Sequence, residues 1–169
     1  MRYILFSILI ISSSILIGQS EGISKEFEKE IDSYLNKTIS TISIEQLSSM
    51  DSGRFVLLDA REKDEYDIST IPGSTYIGYD DFDMESIEHL PKGQPIIVFC
   101  SIGYRSEKIG EKLKKAGYGR VFNLYGSIFA WANAGNQLCT PSGEDTNKLH
   151  TYNKKWSKWV ENPKVKKVW

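Results

Sequence analysis

The chain has 169 residues but only two cysteines, Cys100 and Cys139, and two histidines, His89 and His150. So small a stock excludes a scaffold stapled by several disulfides. It also leaves no cluster at metal-ligand spacing, so neither a metal site nor a cofactor is expected. The formal net charge of −1 provides no basic field for nucleic acid. Past the first twenty residues, no apolar run approaches the ~20 residues that cross a bilayer. No internal repeat or low-complexity stretch divides the chain.

What is present begins with a targeting pattern. Arg2 is a short positive region, and residues 4–17 form an apolar run of 14 residues softened by serines. Gly18 and Ser20 place small residues at −3 and −1 before Glu21, which predicts a removed signal peptide over residues 1–20. No cysteine follows the run, which argues against a lipoprotein. Export to the periplasm or beyond is therefore expected, with no stable membrane insertion after removal. Residues 21–169 suit one domain.

Charge is split along that domain. Residues 21–147 carry 13 Lys and Arg against 21 Asp and Glu, a net of −8. Residues 148–169 carry 7 basic residues against Glu161 alone, a net of +6. The plain reading is a solvated cationic tail; the sharper one is contact with an acidic partner or anionic lipid.

The periodicities alternate. Ile23, Phe27, Ile31 and Leu35 recur every four residues, which predicts an amphipathic helix over 24–35 with Ser24 as its N-cap. A short strand at 41–43 and a short helix at 44–50 follow. The continuous apolar run 55–59 reads as a strand buried on both faces. Residues 62–66 read as one or two helical turns, and 75–77 as a short strand after Ile71-Pro72-Gly73. The acidic segment 80–88 is expected to be helical in its second half. A strand at 95–99, a helix at 106–116 stopped by Gly117, a strand at 121–124 and a helix at 127–133 complete the series. Strands alternating with helices predict an α/β fold: a central, mostly parallel five-stranded sheet with helices on both faces.

Cys100 falls where such sheets bind ligands, past the carboxyl end of a strand. The loop Cys100-Ser101-Ile102-Gly103-Tyr104-Arg105 then runs into a helix. Unpaired amides and the positive end of the helix dipole favour an anion there, so the thiol should ionise below its usual ~8.5. Cys139 reads as a partly buried free thiol, with a resolving role or a bridge to Cys100 as the sharper alternatives. Trp156 and Trp159 read as anchors docking the tail on the domain.

Four segments together carry a resemblance. They are Leu57-Leu58-Asp59-Ala60-Arg61 with Glu65-Tyr66 and Ile71-Pro72-Gly73-Ser74; the Cys100–Arg105 loop running into Ser106; Asn123-Leu124-Tyr125-Gly126 with Trp131; and Ala134-Gly135. The ordered set resembles a single-domain rhodanese, or thiosulfate sulfurtransferase, over about residues 42–138. This divides the chain into a signal peptide (1–20), an N-terminal helical extension (21–40), the rhodanese domain (41–138) and a basic, Trp-containing tail (139–169). The sequence departs from the family pattern at Thr70, where a histidine is usual, and at Ser127, usually glycine. Asn136-Gln137 stands where a proline often follows the final Ala-Gly pair.

The resemblance implies that Cys100 is the nucleophile, taking a sulfane sulfur from thiosulfate or a persulfide and passing it to a thiol, cyanide or protein acceptor. The amides of Ser101, Ile102, Gly103, Tyr104 and Arg105 would cradle the resulting anion, with Arg105 drawing an anionic donor to the mouth. Asp59 and Arg61 would fix the neighbouring loop without taking part in chemistry. Four residues separate Cys100 from Arg105, one fewer than in related phosphatases and arsenate reductases, so the ring suits a single sulfur. Two other readings stay open: a catalytically silent module that binds a partner, and a small-anion phosphatase or arsenate reductase.

Overall fold

A helix or a long connection separates each apolar strand segment from the next, and such crossovers permit parallel pairing. In the computed structural model, which describes residues 22–169, the strands are β1 (Thr41–Ile42), β2 (Val56–Asp59), β3 (Ser74–Tyr76), β4 (Ile96–Phe99) and β5 (Val121–Leu124). They form one sheet in the order β1-β5-β4-β2-β3, and every pairing is parallel. The expected five-stranded α/β sheet is there. The signal peptide predicted over 1–20 lies outside the described residues.

Alternation within the strands builds two cores. Leu57, Ile97, Phe99 and Leu124 face one side, where they meet α1 (Lys25–Tyr34), α2 (Ile44–Ser49) and α5 (Ser127–Asn133). Leu58, Ile96, Val98 and Val121 face the other, against Ile109 and Leu113 of α4 (Tyr104–Lys115). Helices thus cover both faces, and α3 (Lys63–Ile68) lies beyond the end of β2. The α1 helix starts where its sequence says: the Ser24 hydroxyl accepts from the Phe27 amide at 3.3 Å. Phe27 and Ile31 are fully buried, each contributing roughly 1.5–3 kcal/mol of transfer free energy.

Two elements differ from the expectation. The α4 helix begins at Tyr104, two residues before the predicted start, because Gly103 caps it at φ +122° and turns the chain at once. The acidic segment makes one 3₁₀ turn, Met84–Ile87, with the Asp83 carboxylate accepting from the Glu85 amide. Five carboxylates crowd residues 80–88, and like charges at helical spacing disfavour a longer helix.

The tail is built into the first core. β6 (Leu138–Cys139) pairs antiparallel with β7 (Asp145–Thr146), and β8 (Lys148–His150) pairs parallel with β9 (Lys166–Val168). Between β8 and β9 lies a 3₁₀ turn, Trp156–Trp159. Its Trp159 ring stacks on Phe27 at 5.4 Å, while Trp156 meets Tyr34 edge-on at 5.3 Å. Leu149 and Val160 are fully buried there. Among the described residues, no helix is long and apolar enough to cross a membrane.

Candidate active site

Phe99 ends β4, and Cys100 opens the loop to α4. Its side chain is buried, and the Gly103 amide donates to Sγ at 3.2 Å. The Ser106 hydroxyl stands 3.5 Å from the same sulfur. The first helical hydrogen bond of α4 runs from the Glu107 amide to the Gly103 carbonyl. The amides of Tyr104, Arg105 and Ser106 therefore have no acceptor within their own helix. Burial pushes the Cys100 thiol up, but the Arg105 charge, the Ser106 hydroxyl and the Ser106 and Gly103 amides together bring it below its ordinary value.

Two side chains behind the loop hold its curl. Asn123, on β5, donates from Nδ2 to the Gly103 carbonyl at 2.9 Å and accepts from Ser106 Oγ at 2.7 Å. Ser127 Oγ accepts from the Cys100 amide at 3.1 Å and donates to the Leu124 carbonyl at 3.0 Å. Ser127 itself adopts φ +51°. The Ile128 and Phe129 amides of α5 then donate to the Cys100 and Ser101 carbonyls, each at 3.2 Å. The loop backbone is pinned from β5 and α5.

Arg105 lies beside the loop with its fork engaged. Nη1 and Nη2 donate to Glu65 Oε2 and Oε1 at 2.5 and 2.9 Å, and Nη2 also reaches Ser101 Oγ at 2.9 Å. Glu62 stands 3.6 Å away. The Glu65 side chain is only 1% exposed, and Arg105 holds its carboxyl below the usual range although burial pushes upward. The guanidinium expected to attract a donor is thus matched by a buried carboxylate. Asp59 and Arg61 pair at 2.6 Å, both fully buried, and Arg61 also donates to the Ser69 carbonyl. Thr70, standing where the family usually has histidine, donates to Asp59 at 2.7 Å. Both cysteines are free, and Cys139 is buried in β6, which bridges to Thr70.

Above Cys100 opens a cavity of about 560 Å³. Ser101, Ile102 and Arg105 line its base with the sulfur. Tyr34 from α1, Tyr104 from α4, and Tyr152 and Trp156 from the tail wall it. Tyr79, Glu62 and Asp80 complete the rim.

The family profile described as "Rhodanese-like domain" matches residues 43–134, more than half of the chain. The chain belongs to the rhodanese-like family. A "Sulfurtransferase" of Allochromatium vinosum is 32% identical over 107 residues, 62% of this chain and 99% of that protein. "Probable adenylyltransferase/sulfurtransferase MoeZ" of Mycobacterium tuberculosis is 35% identical over 96 residues, 55% of this chain but 24% of that longer protein. Among solved structures, a thiosulfate sulfurtransferase from Pseudomonas aeruginosa superposes with a TM-score of 0.57 at 22% identity, covering 79% of this chain and 25% of that one. The BH2092 protein of Bacillus halodurans gives 0.56 at 22%, covering 68% and 87%. At such identity the structures establish the fold alone. Family and named relatives together support sulfur transfer in general.

In this rhodanese-like chain, sequence reasoning gathered the loop and the Asp59–Arg61 pair but passed over several supports. Glu65 was a motif letter, not the partner of Arg105. Three of the aromatic walls, Tyr34, Tyr152 and Trp156, come from outside the matched region, and nothing in their spacing ties them to Cys100. Only the docking of α1 and the tail brings them together.

Proposed function

We propose that this protein is a sulfurtransferase in which Cys100 carries one sulfane sulfur from thiosulfate or a persulfide donor to a thiol acceptor. The observation behind this reading is the Gly103 amide donating to Sγ at 3.2 Å, at the head of a helix whose first amides lack helical acceptors. In the first half-reaction the Cys100 thiolate attacks the outer sulfur of thiosulfate. The S–S bond of the donor breaks, sulfite leaves with the electron pair, and a cysteine persulfide anion remains. In the second, an acceptor thiolate attacks the outer persulfide sulfur, and Cys100 departs as thiolate. Two half-reactions through a covalent intermediate predict ping-pong kinetics.

Support from the loop is of two kinds. Its amides and the helix dipole favour a buried anion without a proton. Its length, four residues between Cys100 and Arg105, suits a single sulfur better than a phosphate-sized group. The N-terminal pattern favours work outside the cytoplasm, and exported protein beginning at Glu21 on N-terminal sequencing would support that placement. For the chemistry, reduced protein is incubated with thiosulfate and weighed by mass spectrometry. One added sulfur is expected, lost in Cys100→Ser and kept in Cys139→Ser. No adduct with any sulfane donor overturns the reading.

A further inference from the structure

The charge and the lining of the cavity above Cys100 offer little to an anionic acceptor. Among its described lining residues Arg105 is the one basic side chain, and Glu65 already matches its charge in a two-point ion pair. The other ionised groups in the wall are Glu62 and Asp80. Burial and the charge of Asp80 push the Glu62 carboxyl up against the opposing pull of Arg105, so the two carboxylates feel each other across the rim. Arg105 is shared between Glu65 and Glu62, 3.6 Å away, so the carboxylates around the pocket outnumber its one basic side chain.

The remaining wall is aromatic. Tyr34 sits edge-on to Tyr104 at 6.4 Å and to Trp156 at 5.3 Å, so three rings from three separate segments converge beside the sulfur. Tyr152 already lies 5.4 Å from the Arg105 guanidinium. Ring faces attract cations, and carboxylates nearby add to the pull. An open volume of about 560 Å³ is of the size that holds small organic ligands.

We propose that the sulfur acceptor taken by this pocket is a small thiol bearing a positive charge, an aminothiol in chemical class, with its ammonium among Tyr34, Tyr104 and Trp156 and facing Glu62 and Asp80. This rests on Cys100 being the sulfur carrier. The ammonium also lowers the pKa of its own thiol, so the acceptor arrives with more thiolate. That thiolate attacks the outer sulfur of the Cys100 persulfide. The enzyme's S–S bond breaks, a new one forms on the acceptor, and the electron pair returns to Cys100. No oxidant is needed.

The test has two arms on the full chain. First, unloaded Cys100 is labelled with two methanethiosulfonates of similar size, one bearing a trimethylammonium and one a sulfonate. Mass at the Cys100 peptide follows each, and each rate is divided by that of the same reagent with 2-mercaptoethanol. The cationic reagent should lead by about tenfold after this correction. The lead should shrink several-fold in the double variant Glu62→Gln, Asp80→Asn. Should that variant misfold, decline of the wild-type lead with added salt is the substitute readout. Second, persulfide-loaded protein is mixed in single turnover with cysteamine or 3-mercaptopropionate at equal thiolate, and cysteamine should be faster by a similar factor. Equal corrected rates, or a lead for the anionic compounds, overturns the proposal. Failure to load any persulfide instead overturns the sulfur-transfer reading, while the labelling arm still decides the charge preference.

Discussion

Glu65 grips the Arg105 guanidinium at both ends, at 2.5 and 2.9 Å, and so ties α3 to the first turn of α4. The same carboxylate accepts from Ser101 Oγ at 3.0 Å and from the Glu62 amide at 3.2 Å. One buried acid therefore fixes the charge beside Cys100 and the position of the loop that holds it.

Replacing Glu65 by Gln should cost about 3 kcal/mol, because a largely buried guanidinium loses its charge partner. Urea unfolding of wild type and variant at neutral pH measures this. The pH dependence has a definite sign. The folded Glu65 carboxyl is held below its usual value, so its stabilisation is present above the unfolded carboxylate pKa of ~4.3 and is lost as pH falls through the folded one. The variant should have a flatter acid limb than wild type. An equal acid limb in both would show that the pair does not couple to folding.

The two thiols should titrate in opposite directions. Cys139 is pushed up by burial and by the charge of Asp145, whereas Cys100 is brought down. Alkylation followed by peptide mass against pH should give a midpoint for Cys100 below the usual ~8.5 and one for Cys139 above it. Ser106→Ala should raise the Cys100 midpoint by removing a hydroxyl 3.5 Å from the sulfur. Linkage follows: the Cys100 contribution is present above the unfolded thiol pKa and fades as pH falls through the folded one, while that of Cys139 runs the other way. Coincident midpoints in the wild type would contradict the site electrostatics.

Gly103 adopts φ +122°, and a Cβ there would come within 3.4 Å of Asn123 Nδ2 and of Leu35. Alanine at this position should cost about 1–3 kcal/mol in backbone strain and slow alkylation of Cys100, since the amide that faces Sγ moves. Asn123→Ala should slow alkylation by a different route, leaving the Gly103 carbonyl without its 2.9 Å donor. Thermal melts together with labelling rates separate the two. Unchanged labelling in both variants would mean the curl of the loop does not matter to the thiol.

Legibility followed sequence distance. The Cys100 loop was readable because strand, glycine and helix are contiguous, and the unbroken apolar run Ile96–Phe99 reported a strand buried on both faces. Asp59 and Arg61, two residues apart, were readable as a local pair. Glu65 and Arg105, forty residues apart, were not, since neither carries a periodic signal pointing to the other. The walls of the cavity were least readable of all. Tyr34 and Trp156 meet only because Trp159 stacks on Phe27, a packing event between the two ends of the described chain. The helix expected in the second half of residues 80–88 came out as a single 3₁₀ turn, since repulsion among its five acids disfavours a longer one.

The Asp59–Arg61 pair makes the last prediction, and it separates folding from chemistry. Both side chains are fully buried, yet Arg61 Nη1 and Ser69 Oγ make no hydrogen bond within the protein. A buried pair with one donor unmet is costly to break but contributes little net stability when intact. Asp59→Asn alone should therefore lose about 3–5 kcal/mol by leaving a buried guanidinium uncompensated. The double change Asp59→Asn with Arg61→Met should recover much of that loss, as the unpaired charge goes too. Denaturant unfolding of the three chains gives the coupling, and labelling of Cys100 in those that fold should stay near the wild-type rate. A double variant as unstable as the single, or slow Cys100 labelling in a folded one, would instead tie this pair to the reactive loop.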